Sequence, residues 1–370
     1  MLPFSIFAFM ATLHQEFLPS AYTNTVTSGS VAWKSPSNIA LVKYWGKHGQ
    51  QLPKNASISF TLDHCATSTR LDFSQKESTG FVITVLLDGK VQEDFVPKIE
   101  KFFNVAKPYL PFLEQYSFTL HTSNSFPHSS GIASSASGMS ALALCLLDLE
   151  DQLRDAPMNA DAFRRKASFL ARLGSGSASR SIDGGLVVWG EHPEVEGSSD
   201  LFAVQYPEEV HPVFQDYCDT VLLVDTGEKV VSSTVGHGLM HGHPFAEQRF
   251  AQANANLKAI KPILAKGDLE AFMALVESEA LSLHAMMLSS SPYFILMKPA
   301  TLAIINRIWS FRKETGVPAC FTLDAGANVH LLYPAIHKEA VRNLIDAELK
   351  AHCKNGAYIH DGVGKGAVRL

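Results

Sequence analysis

The stretch Pro127-His-Ser-Ser-Gly-Ile-Ala-Ser-Ser-Ala-Ser-Gly138 constrains this chain more than any other. Small residues fill every position from Ser129 to Gly138 except Ile132. A strand-like run, Tyr116-Ser-Phe-Thr-Leu-His121, precedes it, and an apolar helical run, Met139–Leu153, follows it. Strand, glycine/serine loop and helix in that order aim backbone N–H groups and the positive end of a helix dipole at an anion. Small side chains let a phosphate approach the backbone closely. The hydroxyls of Ser134, Ser135 and Ser137 are suited to phosphate oxygens or a magnesium ion. The loop is neither Gly-x-Gly-x-x-Gly nor a P-loop, because no Gly-Lys-Ser/Thr closes it. Taken alone, a serine-rich surface loop ahead of a helix would look the same.

The 370 residues are 46% hydrophobic and 18% charged, enough for two domains with sizeable cores. A net charge of −5, without any basic block, argues against nucleic acid as a partner. An anionic small molecule is still compatible, because local lysines and arginines decide that. Five cysteines at wide spacing, with no Cys-x-x-Cys, point to reduced thiols in the cytosol rather than disulfides or zinc. Residues 1–27 read as a disordered extension or the product of an upstream start, with Met10 as the alternative start. The apolar run at their beginning lacks a basic n-region. No later stretch is expected to reach the roughly 18 apolar residues of a membrane span.

Along the chain, the spacing predicts strands over 28–34, 57–62, 67–73 and 81–87, a tight turn at Asp88-Gly89, and a helix over 96–106. Beyond the glycine/serine loop and its helix, Ala160–Leu173 reads as an amphipathic helix. It runs into a second small-residue loop, Gly174-Ser-Gly-Ser-Ala-Ser-Arg-Ser181. Pro207, Glu208, Glu209 and Pro212 interrupt the pattern, so the chain divides into 28–212 and 213–370. The second half predicts helices over 245–265, 269–286, 301–315 and 338–349, with short strands at 319–323 and 328–333. Strands and helices segregate within each half, which argues α+β rather than a doubly wound parallel sheet.

Four segments in order carry a family resemblance. They are Pro36-Ser-Asn-Ile-Ala-Leu-Val-Lys-Tyr-Trp-Gly-Lys47, Asn124 through Ala136, Gly174–Ser181 with Gly184-Gly185, and Phe321-Thr-Leu-Asp-Ala-Gly-Ala-Asn328. Ser282-Leu-His-Ala-Met-Met-Leu288 adds a fifth. Together they resemble the mevalonate diphosphate decarboxylases, the decarboxylating branch of the GHMP small-molecule kinase superfamily, over roughly residues 28–335. The resemblance implies a two-domain GHMP-kinase-like fold. Its N-terminal domain would be ribosomal-protein-S5-like and ATP-binding, and its C-terminal domain a ferredoxin-like α/β sandwich. It also implies a cytoplasmic homodimer using ATP and Mg2+ to convert mevalonate 5-diphosphate to isopentenyl diphosphate, CO2, ADP and phosphate.

The same resemblance assigns roles to residues. Asp324 would handle the proton of the 3-hydroxyl, Lys43 would sit near Asp324 and the transferred phosphate, and Arg180 would hold the substrate carboxylate, with Asn38 beside it. Tyr44, Lys47, Ser175, Ser177 and Ser233 match positions at the substrate phosphates. Ser129, Gly131, Ser134, Ser135 and Ser137 form the ATP-binding set, and the metal ligands stay open because phosphates hold most of a magnesium shell. One segment departs from the pattern. His237-Gly238 stands where the family usually has Gly-Met or a similar pair, and Thr234 where some bacterial members have arginine. A monophosphate decarboxylase or a mevalonate 3-kinase would share much of this set. The ribosomal likeness also raises an RNA-binding reading, which the charge disfavours.

Overall fold

The computed structural model describes residues 14–127, 132–227 and 233–370. The N-terminal layer is built on two long antiparallel strands, β1 (Ser28–Val42) and β4 (Ser57–Gln75), paired from Ser28↔Ser74 to Val42↔Ile58. Between them lies a small hairpin, β2 (Lys47–His48) with β3 (Leu52–Pro53). The sequence predicts that the first strand stops at Lys34. The strand instead passes Pro36 through a register shift between Pro36 and Asn38, and a second follows between Ala40 and Val42. Bulges absorb the missing donor and carry the strand on to Lys43.

The sheet continues from β4 to β7 (Tyr116–Asn124), then through a parallel pairing to β5 (Val82–Leu87) and its hairpin mate β6 (Lys90–Val91). The other end of β4 pairs with β8 (Leu186–Trp189), which pairs with β9 (Ala203–Gln205). Helices α1 (Val96–Ala106), α2 (Ser134–Leu153) and α3 (Ala160–Gly174) cover one face of this sheet. The helix α2 is apolar almost all round, as a helix buried in a core must be. Asn159 caps α3 by accepting the Ala162 N–H at 2.8 Å.

The second layer is the antiparallel sheet β11 (Cys320–Thr322), β12 (Val329–Pro334), β10 (Tyr217–Leu222) and β13 (Tyr358–Gly362), in that spatial order. Helices α5 (Ala246–Lys266) and α6 (Leu269–Leu288) lie between this sheet and the first half. Ile39, Leu41 and Phe60 share one core with Leu257, Phe272 and Val276. Helices α7 (Pro299–Thr315) and α8 (Lys338–Ala347) cover the opposite face. The short helix α4 (Ser233–Gly238) stands apart near the first layer. The α+β expectation holds, with a ferredoxin-like strand order in the second half.

Two expectations need correction. Helix α6 does have the length and hydropathy of a membrane span, with a mean hydropathy of 1.3 over its best window. Phe272, Val276, Ala280 and Leu283 are nevertheless buried, so one face of the helix is taken up in packing inside the fold. Residues 14–27 are not a disordered extension. Phe17 is buried and stacked on Phe169 with ring centroids 4.0 Å apart, and Tyr116 donates its hydroxyl to the Val26 carbonyl at 2.6 Å. One buried aromatic ring outweighs the polar composition around it, and no periodic pattern marks it.

The chain end was also unforeseen. After β13 it crosses back to the first sheet, where β14 (Val368–Arg369) pairs with Trp33 and Lys34 of β1. The crossing is tight. A Cβ on Gly364 would fall 2.2 Å from the Leu62 carbonyl oxygen, and one on Gly184 would fall 2.2 Å from the backbone of Lys365. Glycine is required at both points.

Replacing Phe17 by alanine is expected to cost about 3 kcal/mol, the scale for removing a buried aromatic ring. A lowered urea midpoint at unchanged slope would register the loss, and an unchanged midpoint would mean that the N-terminal segment adds nothing to the fold.

Candidate active site

Where β1 ends, the chain enters Lys43-Tyr44-Trp45-Gly46-Lys47 along the floor of a cleft of about 180 Å³. Lys43 is fully enclosed, and its backbone N–H donates to Glu279 Oε2 at 2.8 Å. Glu279 on α6 is gripped from α5 by both ends of the Arg249 guanidinium, and Asn256 donates to its other oxygen. The Lys43 ammonium reaches Asp324 Oδ1 at 3.3 Å. Burial lowers the pKa of Lys43, while the charge of Asp324 opposes that shift.

Asp324 lies in the turn between β11 and β12, partly open to the cleft. Its backbone carbonyl accepts the Gly326 N–H at 2.7 Å and a bond from His284 Nε2 at 3.1 Å. Burial pushes the His284 imidazole down to about 4, so it is neutral at ordinary pH, with the Nε2 proton assigned by this contact. His284 therefore positions the aspartate through its backbone.

Arg180 comes from the turn Gly176–Ser181, where it is buried. Its Nε donates to Asn38 Oδ1 at 3.2 Å and its Nη1 to Ser57 Oγ at 2.5 Å. Asn38 in turn donates to Ser181 Oγ at 2.8 Å and to the Ser177 carbonyl at 3.1 Å. Burial pushes the guanidinium pKa down to about 10, which leaves it charged at neutral pH. These two contacts orient the guanidinium in the cleft wall, and its planar fork suits a carboxylate. Tyr44 packs edge-on to Trp189 at 4.6 Å, and burial raises its pKa. Gly176 allows this, since a Cβ there would fall 2.9 Å from Tyr44 Oη.

Ser134, Ser135, Ser175 and Ser177 also line the cleft, with Ser135 Oγ and Ser175 Oγ 3.5 Å apart. The second serine loop thus faces the start of α2. Ser137 goes elsewhere. It is buried, with its hydroxyl 2.7 Å from Thr67 Oγ1, because it projects from the first turn of α2 toward the sheet. Ser129 and Gly131 lie outside the described residues, and of Ser233 only the backbone, at the start of α4, is described. Lys47 lines the cleft and donates to Gln51 Oε1 at 2.8 Å. Its pKa is lowered by burial and by Lys101.

Sequence reasoning passed over several residues. Lys98 of α1 reaches the cleft, and only its three-residue spacing from Lys101 hinted at a common face. Ser57, Arg249 and Glu279 carry no local signal, because their roles depend on contacts between distant segments. Among the described lining residues, Lys43, Lys47, Lys98 and Arg180 face the single carboxylate Asp324. In a chain with net charge −5, that concentrates positive potential where polyanions could bind. No group of three or more His, Cys, Asp or Glu able to hold a metal exists among the described residues. The oxygens of Asp324, Ser134 and Ser135 suit magnesium as additions to a phosphate-borne shell.

Replacing Arg249 by methionine would leave the Glu279 carboxylate buried with little compensation. A loss of about 3–5 kcal/mol is expected. Changing both residues to leucine should recover part of it, and a double variant as unstable as Arg249→Met would place the stabilisation outside this pair.

Comparisons with known proteins accord with this geometry. The diphosphomevalonate decarboxylase-like N-terminal domain matches residues 35–201, and the mevalonate 5-diphosphate decarboxylase C-terminal domain matches residues 220–364. The diphosphomevalonate decarboxylase mvd1 of Aspergillus fumigatus is 30% identical over 333 residues, 85% of this chain and 79% of that protein. The diphosphomevalonate decarboxylase of Ganoderma lucidum is 31% identical over 330 residues, 84% and 80% of the two chains. Among solved structures, the mevalonate diphosphate decarboxylase from Staphylococcus aureus superposes with a TM-score of 0.79 at 26% identity, covering 93% of this chain and 98% of that one. A second, in complex with MVAPP, AMPPCP and magnesium, gives 0.78 at 28% identity, covering 92% and 98%. From its Lys43–Asp324 pair to its serine loops, this chain belongs to the diphosphomevalonate decarboxylase family.

Proposed function

We propose that this protein uses ATP and Mg2+ to convert mevalonate 5-diphosphate to isopentenyl diphosphate, with Asp324, Lys43 and Arg180 as its catalytic residues. The observation that carries the assignment is the meeting of these three residues, from distant segments, in one cation-rich cleft beside two serine loops. A tertiary hydroxyl leaves poorly, so it is first phosphorylated. Asp324 accepts the hydroxyl proton as the oxygen attacks the γ-phosphorus of ATP, and the bond from that phosphorus to the bridging oxygen of ADP breaks. Lys43 keeps Asp324 ionised and offsets charge on the phosphoryl group in transit. Arg180 and Asn38 hold the carboxylate. The new phosphate then leaves with the C–O electron pair, while the electrons of the C–CO2 bond become the double bond. When bound, magnesium would supply charge neutralisation at the ATP phosphates, and the cleft oxygens of Ser134, Ser135 and Asp324 would be the protein groups to hold it.

Tyr44, Lys47, Ser175 and Ser177 supply donors for the 5-diphosphate, and Ser134 and Ser135 for ATP. Ser233, Ser129 and Gly131 keep the roles implied by the resemblance, while Ser137 is better read as a support for the loop. All five cysteines are unpaired thiols, which supports a reducing, cytoplasmic setting. The homodimer carries over from the family resemblance alone. The direct test is to incubate the protein with ATP and mevalonate, its 5-phosphate or its 5-diphosphate in turn, following ADP and CO2 together. Equal release of both from the diphosphate is expected. ADP without CO2 would indicate a 3-kinase, and preferential use of the monophosphate would indicate a monophosphate decarboxylase.

Arg180→Lys is expected to be severely impaired despite its retained charge, because an ammonium cannot reproduce a planar two-point contact. Parental kinetics would reduce Arg180 to a point charge. Asp324→Asn should lower ADP and CO2 release together by roughly 10²–10⁴-fold, the range of general-base contributions. Binding of both substrates should survive. A variant that folds and decarboxylates at the parental rate would remove Asp324 from the chemistry.

A further inference from the structure

His237, at the end of α4, lines the cleft. Its ring packs against the rings of Tyr44 and Trp45, each with centroids 4.4 Å away. The Gly46 N–H donates to its Nδ1 at 3.0 Å. That contact fixes the ring and its tautomer, because an Nδ1 that accepts must leave the proton of a neutral imidazole on Nε2. No hydrogen bond to Nε2 forms among the described residues. Packing alone does not call for histidine here, since a methionine would fill the space between two aromatic rings equally well. What the imidazole adds is one oriented N–H in a cleft that also holds Lys47 and Arg180.

We propose that His237 Nε2–H donates to the terminal phosphoryl group of the substrate and strengthens the preference for a diphosphate over a monophosphate. The proposal rests on the decarboxylase reading for the substrate's identity, but not for the presence of an anion. Burial and the charges of Lys47 and Arg180 hold the ring neutral, with its pKa down to about 3. The group is therefore a directional donor rather than a further cation. The Lys47 ammonium and the Arg180 guanidinium draw the anion in, and the imidazole selects among the positions it can take.

Two substitutions separate the ring's two nitrogens. His237→Asn keeps an acceptor near the Nδ1 position for the Gly46 N–H but is too short to present a donor at Nε2. His237→Gln presents an amide N–H near Nε2 and gives up the Gly46 contact. Parent and variants would be titrated calorimetrically with inorganic pyrophosphate and with mevalonate 5-diphosphate, with melting temperatures recorded on the same preparations. His237→Asn is expected to weaken both ligands about tenfold, as loss of a hydrogen bond to a charged group does, while His237→Gln stays near the parent. Parental affinity in His237→Asn, equal weakening in both variants, or a parent that ignores pyrophosphate would each overturn the proposal. A parent that binds pyrophosphate through His237 but releases neither ADP nor CO2 from mevalonate 5-diphosphate would keep the donor and remove the decarboxylase reading.

Discussion

A lysine sealed from water needs a counter-charge, and the placement of this site follows from how Lys43 is given one. Its ammonium meets Asp324 and its backbone N–H meets Glu279, and these two acids come from the second half of the chain while the lysine comes from the first. Burying ions costs several kcal/mol each before their attraction is counted. An apolar replacement of similar volume would stabilise the fold at least as well. The proposed reaction gives the arrangement a chemical reason, since an ammonium beside Asp324 would favour its charged form next to the substrate phosphates. Glu279 is itself held by Arg249 and Asn256, so the helices α5 and α6 determine where the end of β1 lies.

The same logic fixes Arg180. Its contacts with Asn38 and Ser57 join the 3-10 turn to β1 and β4, and both strands also carry residues of the core shared with α5 and α6. The chain end adds a further constraint. It passes over Gly184 at the edge of the turn, and the Ala367 N–H bonds the Ile182 carbonyl at 2.9 Å. Arg180 therefore sits in a turn tied down on both sides. The role proposed for Arg180, holding a planar carboxylate, needs that rigidity, because misplacement by an ångström can cost two orders of magnitude in rate.

Much of this was legible in the sequence, for identifiable reasons. The glycine/serine loops and the Lys43–Lys47 segment are local signals, since their backbone requirements are written in consecutive residues. Helices α1 and α3 came through with boundaries within a residue of the structure, because each has one apolar face and a clear start. The first strand runs past Lys34 because register shifts carry it through Pro36, which the apolar pattern does not show. The segment 14–27, β13 and β14 escaped notice because they are held by single side chains or short pairings that leave no periodicity. Ser137 was drawn into the phosphate loop by composition. Only the direction of the helix distinguishes a hydroxyl facing the cleft from one facing Thr67.

The cleft's charge balance bears on why a single carboxylate suffices. The proposed reaction brings together a triphosphate, a diphosphate and a carboxylate, all anionic, and the described lining offers four cations. Further acidic residues would oppose substrate binding directly. One acid is still needed, because neither lysine nor arginine can accept the hydroxyl proton at neutral pH, and no histidine takes that place: His237 is tied to Gly46 and His284 to the Asp324 backbone. Lys43, buried and beside Asp324, would oppose the effect of the incoming anions on that carboxylate in the proposed reaction. In the proposed mechanism the buried lysine, costly to the fold, is what would make a lone aspartate usable as a base among polyanions.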